Sequence, residues 1–498
     1  MLLKATDARV ALALFASAFI VYFANGGTLP PDSDTIPNIY LPASIVGEGD
    51  PSFSPFEAPF MFLWTAPTPQ GAEAGVYVPG WLNRPPGSTK SYAEHYREGR
   101  LKFAGWKYYL VPTTRARAET GEPLFVGVFG PMAGLLMLPA VAAARGLGAS
   151  LDPGMLSLLG KLTAATLVAA SVSLVYLTVR RFVERRRALL LALIYAFASC
   201  AWAVASQSLW QQTPEMFFLS LGFFFLLATP DQSRRSLWAG LAFSAAAACR
   251  PTAAIVALVA AGGLVLCDKR ALGAFILGAL PLSVVVLAWN FYYFGSPVDF
   301  GQLVGGERVA QFKTGSANLW QTPLWLGAAG LLLSPGRGLL IYSPVFAAAL
   351  AGAVSAWMDR RHSDMRIVSV AVAGLWVPAF LWFDWWGGWA YGYRPIMDSL
   401  PLLTLLCVPV LDAILRRPAV RAALFVALGW SLFVQALGAF AYSPWGWNMK
   451  ALQPGGERAN VDLPAYQHRL WSFRDWQIGY LIANFRLARL ERKQSIAY

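Results

Sequence analysis

The chain of 498 residues is 56% hydrophobic and only 13% charged, and its apolar residues come in runs of roughly 15 to 20, which excludes a soluble protein of this length. The net charge is +13, and 17 of the 40 Lys and Arg residues lie in six short basic clusters between the apolar runs, a positive-inside pattern that argues against a nucleic-acid-binding stripe. The four cysteines lie within or beside apolar runs, and their spacing gives neither a disulfide framework nor a zinc site.

The first apolar run, Val10–Ala24, follows Lys4 and Arg9 and resembles a signal peptide in charge and length. Its end does not make an A-x-A cleavage site, because Tyr22 stands two residues before Ala24. We therefore expect this run to be an uncleaved anchor that crosses the membrane outward.

The later apolar runs can be ordered by treating each basic cluster as cytoplasmic, so that the runs alternate in direction. The predicted passes are roughly residues 9–25, 155–178, 188–205, 213–229, 271–290, 339–358, 366–383, 397–415 and 420–441. The stretch 236–268 has cytoplasmic flanks on both sides, so we expect it to cross twice and turn near Arg250. Two apolar stretches without a basic cluster, Val126–Ala144 and Leu319–Leu333, are predicted to be interfacial or re-entrant helices on the outer side of the membrane.

This arrangement predicts an all-α polytopic membrane protein with about 11 transmembrane helices. The transmembrane domain is expected to span residues 1–442, and residues 25–154 are expected to form a large first periplasmic loop that carries interfacial helices. Residues 443–498 are expected to form a small C-terminal periplasmic segment. Because the cytoplasmic loops are all short, any chemistry is predicted to take place outside.

Two carboxylates, Asp32 and Asp34, follow the first pass by a few residues. A carboxylate at the membrane surface can be partly buried and still meet a hydroxylated substrate, which suits a catalytic base. The same Asp-Ser-Asp-Thr sequence also suits a turn or a helix cap, so both interpretations stay open on the residues alone.

Two charged residues in apolar surroundings, Arg250 and Glu215, are candidates for binding a substrate. An intramembrane arginine is costly, and its planar fork can bind two oxygens of a lipid phosphate. The alternative is a structural pair between Arg250 and Glu215 or another intramembrane carboxylate. Glu215 follows Pro214 at a predicted helix start, so it is either a cap or a hydrogen-bond acceptor in the site.

Two Ser-Pro steps surround Arg337 and Tyr342 in the segment Ser334–Pro344. They interrupt a helix, and non-helical backbone at membrane depth is tolerated only against protein or a wet cavity. Arg337 is therefore predicted to contact phosphate or sugar, with Tyr342 beside it. The alternative is an arginine whose charged end reaches the interface while its stem stays apolar.

The segment Asp384–Pro395 combines aromatic residues with three glycines and two charges. An aromatic belt at the interface explains the tryptophans alone, but it needs neither the glycines nor the charges. A sugar-binding surface uses aromatic rings together with close backbone approach. The predicted binding residues of this segment are Trp386, Trp389, Tyr391 and Arg394.

The chain resembles the GT-C glycosyltransferases, a superfamily that includes protein O-mannosyltransferases, lipid A aminoarabinose transferases and mycobacterial arabinofuranosyltransferases. Four segments look like motifs of its bacterial members: Asp34–Pro42, Phe129–Pro139, Ser334–Pro344 and Gly387–Pro395. The large first outside loop with an early acidic residue, and an Arg-Pro step at a turn between apolar runs, are similar as well. The likeness covers most of the membrane portion.

The resemblance implies a GT-C-like fold and an inverting transfer of a sugar, with Asp34 as the base and cationic groups on the leaving phosphate. Many relatives carry two adjacent acids in this loop, whereas Ser33 separates Asp32 from Asp34 here, which leaves the role of Asp32 open. The implied donor is a polyprenyl-phosphate sugar, and the implied acceptor is a hydroxyl on a glycan, a lipid or a protein. Membrane lipid is the other expected partner, and nucleic acid is not expected.

The resemblance places the protein in the bacterial inner (plasma) membrane, with an active site that faces the periplasm or cell exterior. No metal site is predicted, no cofactor is implied with certainty, and the need for a divalent metal stays open. The alternatives are a transporter or flippase for lipid-linked glycans, a glycan polymerase or ligase, and a non-catalytic assembly subunit. Transporters usually show internal repeats and short loops on both sides, so the long first loop favours an enzyme.

Overall fold

The computed structural model describes residues 4–25, 34–69, 71–76, 78, 84–85, 87–116, 123–228, 232–452 and 456–494. Its first helices are α1 (Ala5–Ala24), α2 (Ile36–Glu48), α3 (Tyr92–Arg97), α4 (Met132–Leu135), α5 (Leu138–Gly146), α6 (Pro153–Val179), α7 (Arg185–Phe197), α8 (Gln212–Ala228), α9 (Gln232–Cys249), α10 (Ala253–Cys267) and α11 (Lys269–Phe294). The later helices are α12 (Gly301–Thr314), α13 (Leu324–Leu333), α14 (Leu339–Tyr342), α15 (Ala347–Met358), α16 (Asp364–Leu381), α17 (Leu400–Leu406), α18 (Val408–Arg416), α19 (Pro418–Ala441), α20 (Gln477–Ala483) and α21 (Phe485–Gln494).

The strands are β1 (Phe62–Pro67), β2 (Glu73–Val76), β3 (Lys102–Trp106), β4 (Leu110–Ala116), β5 (Pro123–Gly127), β6 (Met449–Ala451) and β7 (Arg458–Asn460). Short 3-10 helices lie at Pro59–Met61, Pro344–Phe346, Arg360–His362, Arg394–Ser399 and Pro464–Trp471, and a π-helical turn lies at Ala201–Ala205. The helix Arg394–Ser399 is called the connecting helix below, because several distant parts of the chain meet on it.

Five described helices are long and apolar enough to cross a membrane, namely α1, α6, α11, α16 and α19. A sixth span results if Arg394–Leu406 and Val408–Arg416, which meet at an angle of 58°, act as one. Shorter apolar helices lie at Gln212–Ala228, Ala253–Val265, Leu324–Leu333 and Pro344–Met358. The chain is a multi-pass membrane protein, as predicted, but helix length alone does not confirm the predicted count of about 11 crossings.

Small residues let the membrane helices pack closely. Helix α1 packs along α6, and α9 packs against both α8 and α11. At the crossing of α9 and α11, a side chain at Gly240 would collide with the carbonyl of Phe275, and one at Gly278 would collide with that of Leu237. Because lipid is as apolar as the helix surfaces, such close packing, rather than burial from water, holds membrane helices together.

The segment 25–154, predicted as the first outside loop, contains β-strands, which corrects the all-α prediction for this part of the chain. Strands β2, β1 and β3 form an antiparallel sheet in that order, and β4 pairs with β5. Aromatic side chains fill the core beneath them: the Phe62 and Phe125 rings lie 5.0 Å apart, and the Trp64 Nε1–H donates to the Pro59 carbonyl. Alternating burial along Phe62–Trp64 is the period-2 pattern of a half-buried strand.

Two predicted interfacial helices differ from the structure. Val126–Ala144 is not one helix: its start belongs to β5, and helix begins only after Gly130 and Pro131 as α4 and α5. The helix in Leu319–Leu333 begins later than predicted, at Leu324, with Pro323 as its N-cap residue. In both cases proline sets the boundary, because it lacks an N–H and restricts the residue before it.

The C-terminal segment joins the core of the membrane portion. Val461, Leu470, Ile478 and Leu481 are buried in the same hydrophobic cluster as the membrane helices. The amphipathic helix α21 packs against α19, and the buried Arg492 donates to the Gly438 carbonyl at 3.1 Å. The segment therefore packs as part of one body with the helices that carry the Gly387–Pro395 motif.

Candidate active site around the connecting helix

Asp34 lies in the turn immediately before α2, and that helix is held in place by buried contacts. The Asn38 side-chain amide donates to the Leu209 carbonyl at 2.9 Å. A side chain at Gly134 would come within 2.8 Å of the Asn38 carbonyl oxygen, and one at Gly127 would come within 2.7 Å of Pro37. The segment around the Phe129–Pro139 motif therefore packs closely against the helix that positions Asp34.

Asp34 forms an ion pair with Arg394, the first residue of the connecting helix, although 360 residues separate them. The Arg394 Nη1–H donates to Asp34 Oδ2 at 2.6 Å, and the side chains are 11% and 25% exposed respectively. Arg394 Nη2 also donates to the Gly387 carbonyl at 2.6 Å, and the guanidinium lies 4.5 Å from the centre of the Trp210 ring. The structure thus brings together two residues predicted separately from sequence.

Arg250, at the turn between α9 and α10, approaches the same helix. Its Nη1–H donates to Asp398 Oδ2 and lies 3.4 Å from the Pro395 carbonyl oxygen, and it is 4.0 Å from Glu215 Oε2. The carboxylate pair that was the alternative for Arg250 is therefore present. Part of the Arg250 guanidinium stays outside this pairing, because its Nε has no hydrogen-bond partner in the part of the chain that the structure describes.

Two guanidinium groups thus meet the start of the connecting helix, one from the helix itself and one from the turn between α9 and α10. Arg394 begins it, and Arg250 contacts the very next residue, Pro395. Two guanidinium groups at such a position can bind a phosphate through charge-assisted hydrogen bonds, and the Asp34 carboxylate can accept a proton nearby. The structure therefore brings two guanidinium groups together with three carboxyl groups, those of Asp34, Asp398 and Glu215.

Two apolar cavities flank the segment Phe129–Pro131, close to this cluster. The larger, about 30 Å³, is lined by Ala248 and Pro251 beside Arg250 and by Val286 and Trp289 of α11. The smaller, about 10 Å³, shares Trp289 and reaches Asn38 and Leu41 of α2. Apolar space therefore lies next to both Arg250 and the helix that positions Asp34.

Arg337 and Tyr342 lie inside the protein, and Arg337 holds the carbonyls on either side of the Gly387 carbonyl that Arg394 holds. Arg337 is fully buried and donates to the carbonyls of Gly336, Trp386 and Gly388 and to Asn448 Oδ1, at 2.8–2.9 Å. Tyr342 is also fully buried, and its hydroxyl contacts Gly336 and Gln477. The interfacial alternative for Arg337 is wrong because none of the side chain reaches the surface, and these contacts give no support to a phosphate contact.

The aromatic residues of the Gly387–Pro395 motif pack against the C-terminal segment. Trp386 is 5% exposed and donates to Asp462 Oδ1, and Trp389 donates to Asn460 Oδ1, both at 2.9 Å. Tyr391 is fully buried and donates to the Val434 carbonyl at 2.6 Å. In this arrangement the three side chains hold the segment in place through hydrogen bonds, while Trp389 stays partly exposed, and a sugar-binding role for these rings stays a prediction.

Lys313 of α12 joins the motif to the C-terminal segment. Its ammonium lies 2.6 Å from Asp384 Oδ2 and 3.1 Å from Asp462 Oδ2. Burial lowers the pKa of Lys313, but the two carboxylates outweigh it and raise that pKa above its ordinary value. Burial and the neighbouring Asp384 raise the pKa of Asp462, against the opposing effect of Lys313.

Sequence reasoning missed three members of these clusters, Asp398, Lys313 and Asp462. The signal for Asp398 is its place four residues after Arg394 in the same short helix. Asp32 lies outside the described residues, so its predicted role stays a prediction. Among the described residues, no group of three or more His, Cys, Asp or Glu side chains is placed to hold a metal ion.

No protein-family model matches the sequence, and no curated protein matches it significantly. The structure is similar to that of ArnT from Cupriavidus metallidurans bound to undecaprenyl phosphate, at 11% identity over 99% of this chain and 74% of that chain, with a TM-score of 0.48. It is also similar to the Archaeoglobus fulgidus oligosaccharyltransferase in two crystal structures. The complex with Zn and sulfate is 14% identical over 86% of this chain and 53% of that chain, with a TM-score of 0.50.

The oligosaccharyltransferase tethered to an acceptor peptide is 13% identical over 88% of this chain, with a TM-score of 0.49. This chain spans 55% and 53% of the length of the two oligosaccharyltransferase chains. At these identities the likeness concerns the fold alone, and the predicted resemblance to the GT-C superfamily is confirmed at that level. Similar folds host different activities, so the function must be argued from the site.

Proposed function

We propose that this protein is an inverting glycosyltransferase that moves a sugar from a polyprenyl-phosphate donor to a hydroxyl acceptor at the outer face of the membrane. The observation that carries the proposal is the meeting of Asp34, Arg394 and Arg250 at the connecting helix. One carboxylate and two guanidinium groups are what such a transfer needs, and the GT-C-like fold agrees with it.

The proposed reaction uses Asp34 as the base. Asp34 accepts the proton of the acceptor hydroxyl as the hydroxyl oxygen forms a bond to the anomeric carbon of the sugar. The bond from that carbon to the phosphate oxygen breaks, and the polyprenyl phosphate leaves with the electron pair. Arg250 and Arg394 stabilise the charge on the leaving phosphate, and attack from the face opposite the phosphate inverts the anomeric centre.

The ion pair between Asp34 and Arg394 supports the roles of Asp34 as the base and of Arg394 as a neighbouring cation. Because Arg394 also holds the Gly387 carbonyl and lies over Trp210, its guanidinium has a fixed orientation toward the carboxylate. A base held in one orientation reacts faster than one that must first be ordered, since the entropy of positioning has already been lost on folding.

The apolar cavities support a lipid-linked donor. The larger cavity lies beside Pro251, and one of its walls is formed by α11. Only 17% of the apolar stretch of α11 is buried in the protein, which suits a helix that faces lipid. An isoprenoid chain that enters there has its phosphate end near Arg250. The acceptor is proposed only as a hydroxyl of a glycan, a lipid or a protein.

The proposed topology completes the account. We propose about 11 crossings, a transmembrane catalytic domain at 1–442 that includes a first outside loop at 25–154, and a C-terminal segment at 443–498. The positive-inside pattern places Asp34, Arg250 and Arg394 on the periplasmic or exterior face of a bacterial inner membrane.

The function is tested by incubating the purified protein, reconstituted in lipid vesicles, with a panel of polyprenyl-phosphate sugars and candidate acceptors. Mass spectrometry of the products is expected to find a sugar joined to an acceptor and free polyprenyl phosphate. The Arg250→Gln and Arg394→Gln variants are expected to lose most of this transfer, whereas Arg474→Gln, at an exposed site, is expected to keep it. Movement of the lipid-linked sugar across the vesicle without a new covalent product would instead indicate a flippase.

A further inference from the structure

Three charged side chains from three separate elements, one of them the connecting helix, meet inside the protein. Arg250 comes from the turn between α9 and α10, Glu215 from the first turn of α8, and Asp398 from the connecting helix itself. Their side chains are 12%, 0% and 1% exposed respectively. A fully buried pair of carboxylates around one guanidinium is therefore built into the interior of the protein.

The charges in this group do not balance if both acids are ionised. Arg250 supplies one positive charge and the two carboxylates supply two negative charges. Within the described residues, neither Glu215 nor Asp398 has another Lys, Arg or His within ion-pair distance. A buried carboxylate without a counter-charge costs several kcal/mol, and such groups instead take up a proton.

The contacts indicate which acid holds the proton. Arg250 donates directly to Asp398, whereas its nearest approach to Glu215 is 4.0 Å. Both Glu215 oxygens lack a hydrogen-bond partner in the described structure, yet Glu215 Oε2 and Asp398 Oδ2 approach the same atom, Arg250 Nη1, so the two carboxyl groups are neighbours. Two ionised carboxylates can only accept hydrogen bonds, so a proton on Glu215 turns this contact into a hydrogen bond.

We infer that Asp398 is the ionised partner that positions Arg250, and that Glu215 carries a proton which it donates in a hydrogen bond to Asp398. Asp398 is then a positioning residue that acts through Arg250. The three side chains are together neutral, and the Nε edge of Arg250 remains available for an anion. The part of this inference that concerns donor binding rests on the proposed function, and the location of the proton does not.

Infrared spectroscopy of the protein in lipid vesicles at neutral pH tests the location of the proton. A protonated carboxyl group has a C=O stretching band that a carboxylate lacks. We expect one such band in the wild type and its loss in Glu215→Gln. Glu184→Gln, at a side chain that is 61% exposed, is the matched control and is expected to keep the band. A spectrum that Glu215→Gln leaves unchanged would overturn the inference.

Binding of undecaprenyl phosphate, used as the probe, tests the positioning role. Arg250→Gln and Asp398→Asn are each expected to weaken binding by roughly 10- to 100-fold, the value of a charge-assisted hydrogen bond. Glu215→Gln keeps a donor toward Asp398 and is expected to stay within about twofold of the wild type. The double variant Arg250→Gln/Asp398→Asn is expected to bind as weakly as Arg250→Gln alone, because Asp398 acts through Arg250.

Two outcomes of the binding measurements would contradict the inference. Additive losses in the double variant would mean that Asp398 acts on the fold and not through Arg250. A loss of binding in Glu215→Gln that equals the loss in Arg250→Gln would mean that Glu215 is the ionised partner. If Asp398→Asn does not fold, the infrared comparison and the Glu215→Gln affinity still decide the inference. If no sugar is ever transferred, the proposed function fails while the infrared result still locates the proton.

Discussion

Replacing Lys313 with methionine removes the cation that joins α12 to the Gly387–Pro395 motif and to the C-terminal segment. The ammonium lies 2.6 Å from Asp384 and 3.1 Å from Asp462, and the three side chains are only 11–19% exposed. Methionine keeps most of the length of the side chain but offers no charge and no donor. The substitution therefore leaves two carboxylates facing each other in a mostly buried site.

The expected loss of stability is about 3 kcal/mol. A hydrogen bond to a charged group contributes about 1.5–3 kcal/mol, and removing one partner of a buried ion pair costs about 3–5 kcal/mol. We take the lower end of the second range because the site is partly exposed and because Asp462, whose pKa is already raised, can take up a proton.

The sign of the pH dependence follows from the pKa of Lys313, which is raised in the folded protein from 10.5. A raised lysine pKa stabilises the fold below the ordinary value, and the contribution is lost only as the pH rises through the higher folded value. The difference in free energy of unfolding between the wild type and Lys313→Met should therefore be constant between about pH 7 and 9. It should narrow only above the ordinary pKa of lysine.

The measurement is the free energy of unfolding in mixed lipid–detergent micelles, followed by tryptophan fluorescence. Lys450→Met is the matched control, because that side chain is 44% exposed and lies 3.8 Å from Asp475; it should change stability by less than about 1 kcal/mol. A Lys313→Met variant as stable as this control, or one whose deficit disappears between about pH 7 and 9, would refute the reasoning.

Three other substitutions have expected outcomes. Asp462→Asn should change the free energy of unfolding little at neutral pH. It should flatten the dependence of that free energy on pH in the acid range, because a raised carboxyl pKa makes the wild type lose stability as the pH rises above 3.8. An unchanged dependence in the acid range would contradict this. Gly392→Ala should cost roughly 1–3 kcal/mol in unfolding experiments, since its φ is +53° and a Cβ would lie 2.8 Å from the Tyr342 ring. Asn38→Ala, which leaves the Leu209 carbonyl without its donor, should cost about 1–3 kcal/mol and lower the transfer rate more than it lowers donor affinity.

The sequence predicted the membrane helices well where basic clusters bounded them. The predicted passes at roughly 155–178 and 420–441 correspond to Pro153–Val179 and Pro418–Ala441 in the structure. The strands of the first loop were missed because its prolines and glycines suggested turns. The pairs β1–β2 and β4–β5 join neighbours in sequence, whereas β1–β3 joins segments far apart. Strand pairing of that kind depends on tertiary contacts that local patterns do not contain.

The candidate site was predicted as separate residues and not as a geometry. Asp34 and Arg394 were both selected, yet nothing local to either residue indicates that they pair across most of the chain. Arg337 and Tyr342 were selected for their interrupted helix, but their polar atoms are satisfied by nearby backbone. Burial and hydrogen-bond partners decide between a binding role and a packing role, and a single sequence supplies neither.

The central claim, that Asp34 is the base, is tested most directly by the single-turnover rate of sugar transfer at saturating donor. Asp34→Asn should lower this rate by about 10²–10⁴-fold, the usual contribution of a general base, while the affinity for undecaprenyl phosphate falls much less. Asp299→Asn, at an exposed side chain, should transfer at the wild-type rate. An Asp34→Asn variant that transfers within about tenfold of the wild type would contradict the assignment of Asp34 as the base.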